Sequence, residues 1–92
     1  MQYFIEISDD AKLTIKEVSE YYGEISIPLK DRFEVELIKS IDLLFINPLH
    51  HQARYRKVRI AFTELFPYGI HYIVENEYIY VLKILHTKSF FK

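Results

Sequence analysis

Ninety-two residues, half of them apolar, 16% aromatic and 27% charged, are expected to form one folded domain over 1–92, since a chain this short buries roughly two-thirds of its unfolded surface. Cysteine is absent, which excludes disulfides, thiolate zinc sites and thiol nucleophiles and leaves oxygen and imidazole chemistry. The formal net charge is -1, so any surface for a polyanion has to be a local one.

No apolar run approaches the roughly 20 residues of a bilayer span, and Met1 to Asp10 lacks the charged start and apolar middle of a signal peptide. No membrane association is expected, and the expected compartment is the cytoplasm. Tyr3 to Ile7 alternates Tyr3, Ile5 and Ile7 against Phe4 and Glu6 and stops at Ser8-Asp9-Asp10, which predicts a strand followed by a helix cap. From Ala11 the apolar spacing changes to Ala11, Ile15, Val18, Tyr22 and Ile25, the stripe of an amphipathic helix from about Asp10 to Glu24. Gly23 and Pro28 mark a break, glycine as a left-handed cap and proline as the opening of the next helix. A second helix is predicted from about Leu29 to Ile46 on Leu29, Phe33, Leu37, Ile41, Leu44 and Phe45, ended by Asn47-Pro48. A short connection between matching apolar faces makes the pair an antiparallel hairpin lying on a sheet.

Leu49 to Ala53 reads as a loop holding His50 and His51. It is followed by a strand with Arg56, Val58 and Ile60 on one face and Lys57 and Arg59 on the other. Pro67 interrupts before Tyr68 to Glu75, and a turn at Asn76 joins this run to the last strand. The connections are too short for parallel crossovers, so the last three strands are antiparallel and the first can join them in parallel. The fold class is therefore α+β: an N-terminal strand, a two-helix hairpin, then three antiparallel strands. Both faces of the last two strands are apolar, so the pattern leaves open which face the helices cover. A face they leave uncovered would be a partner surface.

Arg54, Arg56, Lys57 and Arg59, with His50 and His51, form the densest basic stretch. It suits phosphate oxygens, and it equally suits an ordinary exposed strand. His71 and His86 lie within apolar strands, where each is either a general acid or base or a structural histidine. Lys88 and Lys92 flank Phe90-Phe91, a combination that can hold a base and its phosphate or fold back onto the sheet. His50-His51 has no third ligand at a metal spacing, and no glycine-rich phosphate loop or nucleophile elbow is present. Neither a metal nor a cofactor is expected, and nucleic acid or protein is the expected partner class.

The order of elements resembles the RelE/ParE superfamily of toxins from bacterial type II toxin–antitoxin systems, over nearly the whole chain. The resemblance rests on Glu20-Tyr21-Tyr22, Arg32-Phe33, Asn47-Pro48, Arg56-Lys57-Val58-Arg59, Phe66-Pro67-Tyr68-Gly69-Ile70-His71-Tyr72 and the run from Val81 to His86. It implies two helices on a small curved sheet, a separate antitoxin as partner, and assembly as a homodimer or a toxin–antitoxin hetero-oligomer. Two activities follow from it. In the RelE-like one, mRNA is cut on the ribosome, with His86, His71 and Arg59 as catalytic groups and Arg54, Arg56, Lys57 and Lys88 on the nucleic acid. In the ParE-like one, DNA gyrase is inhibited without catalytic groups of that kind. The third strand of RelE-like nucleases carries an arginine where this chain has Gly69, with His71 two residues on. A relative that keeps the fold and antitoxin binding without toxicity is the remaining implication.

Overall fold

The computed structural model describes residues 2 to 90, with backbone only at residues 89 and 90. Its elements are β1 (Phe4–Ile7), α1 (Asp9–Ile25), α2 (Ile27–Ile46), β2 (Ala53–Tyr55), β3 (Val58–Phe62), β4 (Tyr68–Glu75), β5 (Tyr78–His86) and α3 (Thr87–Phe90). They build an α+β domain with one five-stranded sheet in the order β1-β5-β4-β3-β2. β1 runs parallel to β5, and the other neighbours are antiparallel.

Ser8 begins α1 as its N-cap: its hydroxyl accepts from the Ala11 N–H at 3.0 Å, and Asp9 and Asp10 complement the helix dipole in the first turn. Ser26 both ends α1 and starts α2. Its N–H donates to the Tyr22 carbonyl at 2.9 Å, and its hydroxyl accepts from Leu29 N–H at 3.1 Å. The break therefore falls at Ser26, and Pro28 opens α2 as expected. Gly23 is not a left-handed cap. It lies inside α1, where a Cβ would meet the Lys30 side chain at 3.2 Å, so its role is close approach of the two helices. Ile25 and Phe45, placed on the core stripes by spacing, are exposed.

The helices cover the sheet face carrying Tyr68, Ile70, Tyr72, Ile79, Val81 and Ile84, which pack with Ala11, Phe33, Leu37 and Leu44 in the buried core. One extra residue, Leu82, bulges β5, because His71 pairs with Lys83 while Tyr72 pairs with Val81. The bulge shifts the alternation, so Ile84 and His86 join Val81 on the helix side and Lys83 and Leu85 point to the other face. The stretch read as one basic strand from Arg54 onward is instead a hairpin. Tyr55 pairs with Val58, and Arg56-Lys57 form its two-residue turn with Arg56 at φ 50°. A left-handed arginine has none of the sequence marks of a turn, whereas Asn76 at φ 56° in the β4–β5 turn does. The strand order is then four strands after the helices, with Val58 and Ile60 on the outer face and Arg59 on the helix side.

Gly69 lies on that outer face, where a Cβ would come within 2.9 Å of Ile60 Cγ2 and 3.5 Å of the Phe62 ring. Gly69→Ala is expected to cost about 1–3 kcal/mol through overpacking, read as a lower urea midpoint at unchanged slope.

Candidate functional site

The residues singled out above are distributed over both faces and two ends of the sheet. His71 stands on the outer face, only 1% exposed, with its Nδ1 2.9 Å from the Tyr55 hydroxyl and Lys83 as its neighbour on β5. Burial, and then the charge of Lys83, hold its pKa below the ordinary histidine value. His86 stands on the opposite face, half-buried, with its ring 5.4 Å from that of Tyr68 in an edge-on contact. Its Nδ1 accepts from the Lys88 backbone N–H at 3.1 Å, which in the neutral ring places the proton on Nε2. The two histidines therefore do not share a site.

The basic residues separate in the same way. The Arg59 Nη1 donates to the carbonyl of His51 and, at 3.4 Å, to that of Leu49, tying down the loop after α2. The Tyr72 hydroxyl donates to Pro48 O at 2.7 Å and completes that anchorage, and burial pushes the phenol up to about 12. His51 lies against these cations: burial first, then His50, Arg54 and Arg59, hold its pKa down. Arg56 and Lys57 are exposed at the hairpin tip, and Lys88 is exposed beyond β5. Arg54 reaches over the Phe62 ring, with 5.8 Å from its guanidinium carbon to the ring centre. Phe62 in turn lies against Gly69, so the position where the resemblance implies an arginine is roofed by a ring that itself carries a guanidinium. Phe91 and Lys92 lie outside the described residues. Among the described residues no three His, Asp or Glu side chains gather to hold a metal ion. Among the described residues no helix is long and apolar enough to cross a membrane.

What the sequence reading missed is a groove. The loop from Thr63 to Pro67 is held to α2 by the Glu36 carboxylate, which accepts from Leu65 N–H at 3.0 Å and Phe66 N–H at 3.2 Å. An aromatic cluster anchors the loop from below, Phe66 packing against Tyr22 at 5.1 Å and Phe33 at 5.4 Å. Tyr68 extends the cluster, its hydroxyl pushed up to about 12 by burial and by its bond with Tyr22. Between α2 and this loop runs a hollow of about 380 Å³ walled by Val35, Leu43, Phe62 and Leu65. A second hollow of about 330 Å³ shares Leu43 and Phe62 and ends at His50 and His51. Leu43 is 62% exposed, Leu65 76% and Ile46 78%, an apolar surface of the kind that marks a partner site. The signal was available: the second half of α2, with Ile38, Ile41, Leu43, Leu44, Phe45 and Ile46, is apolar on every side, more than one core stripe requires.

Two hairpinned helices on one face of a small mixed sheet, with an apolar groove beside the second helix, define an α+β domain of the class expected from the order of elements. The model of the family described as "ParE toxin of type II toxin-antitoxin system, parDE" matches residues 5–89, and the chain belongs to that family. A solved structure described as the chromosomal ParDE TA system from P. aeruginosa shares the fold. Its TM-score is 0.79 at 15% identity, over 92% of this chain and 96% of that one. No curated protein matches the sequence.

The lowered pKa values of His71 and His51 set the sign of a pH dependence. The unfolded chain takes up protons near the ordinary histidine value of 6.5 while the folded one does not, so stability is complete above that value and is lost as pH falls from it toward the folded values. The urea midpoint is therefore expected to drop between about pH 7.5 and about pH 5.5, and His71→Phe is expected to flatten that slope even though it forgoes the Tyr55 bond.

Proposed function

We propose that this chain is the toxin of a type II pair and that it arrests growth by docking on DNA gyrase, not by cutting RNA. The observation that carries the reading is the separation of the candidate catalytic groups. His71 and His86 stand on opposite faces of the sheet, and Arg59 is committed to the carbonyls of His51 and Leu49. A nuclease of this type needs an acid, a base and a phosphate-holding cation within hydrogen-bond reach of one scissile group. Membership of the ParE family supports the same direction. The nuclease reading retains one favourable observation, the pairing of His71 with Lys83 across the outer face.

Expression in a bacterial host separates the two. Gyrase docking is expected to give loss of supercoiling before any fall in protein synthesis, and Arg59→Ala and His86→Ala variants that remain folded are expected to stay toxic. Early mRNA fragmentation, abolished by His71→Ala or Lys83→Ala, would reverse the assignment.

The groove on α2 is the proposed seat of the antitoxin. From Arg32 to Ile46 it follows about 21 Å of helix, enough for about four turns of an amphipathic partner segment burying its apolar face on Val35, Leu43 and Leu65. Leu43→Glu places a charge in the middle of that surface. It is expected to weaken capture by the cognate antitoxin at least about tenfold, a loss of roughly 1.4 kcal/mol, while melting and toxicity stay near those of the parent.

A further inference from the structure

The two edges of the sheet are unlike. β2 is a three-residue edge with an irregular register, carrying Arg54 and followed by Arg56 and Lys57, all of which discourage further pairing. β1 is a regular four-residue strand, Phe-Ile-Glu-Ile, with no lysine or proline on it, and in the strand order nothing lies beyond it among the described residues. Its direction of pairing is fixed by two bonds. Phe4 N–H donates to Glu77 O at 2.8 Å and Ser8 N–H to Val81 O at 2.9 Å, so the even-numbered residues turn their backbone groups toward β5. In a parallel ladder the alternate residues face away, which leaves the N–H and C=O of Ile5 and Ile7 directed to the open side. Along that side runs a hollow of about 560 Å³ lined by Ile5, Glu6, Ile7, Ser8, Asp9 and Lys12.

We infer that this edge is a strand-addition site for an extended segment of another protein in which basic and apolar residues alternate. Backbone groups spaced along about 13 Å of strand are matched by another extended chain, which would bond to Ile5 and Ile7 as β5 bonds to Phe4 and Ser8. Charge selects the occupant. Glu6 and Asp9 line the hollow and Glu77 stands at its far end beside Phe4, against Lys12, so lysines or arginines on the incoming strand are complementary. A second copy of β1 is not, because antiparallel self-pairing through Ile5 and Ile7 would set the Glu6 carboxylates of the two chains opposite each other. Apolar residues on the other face of the incoming strand would meet the half-buried Ile5 and Ile7. The site lies across the sheet from the α2 groove, and the inference does not depend on what that groove binds.

The test uses the whole protein, a short peptide of alternating lysine and valine, and its glutamate–valine counterpart, with backbone amide exchange followed by NMR. The lysine peptide is expected to slow exchange of the Ile5 and Ile7 amides by about tenfold or more while leaving Phe4 and Ser8, already bonded to β5, unchanged. The glutamate peptide is expected to do neither. Glu6→Lys changes an exposed side chain and keeps the backbone bonds of that residue to β5, so it should leave melting unaltered and reverse the preference between the peptides. Equal effects of the two peptides, protection confined to the β2 edge or the α2 groove, or a dimer of the protein alone that protects Ile5 and Ile7 would each overturn the inference.

Discussion

Ser8 is bonded in three directions at once, and the arrangement of the whole domain depends on it. Its backbone N–H reaches Val81 O at 2.9 Å, its hydroxyl donates to Leu82 O at 2.6 Å, and the same oxygen accepts from Ala11 N–H at 3.0 Å. One residue therefore registers β1 on β5, holds the bulge in β5, and starts the helix that carries the chain back over the sheet. Because these bonds are partly buried, leaving any of the groups unsatisfied would cost on the order of 1–3 kcal/mol.

The bulge at Leu82 decides the chemistry of the sheet. It turns Ile84 and His86 to the helix side and leaves Lys83 beside His71 on the outer face. On the outer face, Gly69, Ile60 and Phe62 are packed too closely for a longer side chain at residue 69, and Arg54 sits on the Phe62 ring instead. Arg59, drawn to the helix side, fixes the loop of Leu49 and His51. Groups that a linear reading gathers into one basic, histidine-bearing surface thus carry separate structural duties. The surfaces left without such duties are apolar or open-edged: the α2 groove and the outer side of β1.

Much of the fold was legible because its elements follow simple periodicities. The four- and three-residue steps from Ala11 to Tyr22 and from Phe33 to Leu44 required amphipathic helices, Ser8 required a cap, and Asn76 required a turn. The resemblance to the RelE/ParE superfamily rested on the order of those elements together with short motifs such as Asn47-Pro48 and Phe66-Pro67-Tyr68-Gly69, and the ParE toxin family model matches residues 5–89. The parts that were not legible have particular causes. The turn at Arg56 is made by a residue that enters the left-handed region only under tertiary constraint. The bulge at Leu82 breaks a period of two without any glycine or proline to announce it.

The sequence by itself determined the class of fold, the two-helix hairpin and the antiparallel strands, since backbone hydrogen bonding and apolar periodicity are local properties. Which face of the sheet the helices cover was decided only by the tertiary structure, because Ile70, Tyr72 and Val74 are no more apolar along the chain than the residues opposite them. The distribution of His71, His86 and Arg59 was decided there too, through a single bulged residue held by a serine more than seventy positions away. Spacing along a strand cannot show which side chains meet once one residue has slipped out of the ladder.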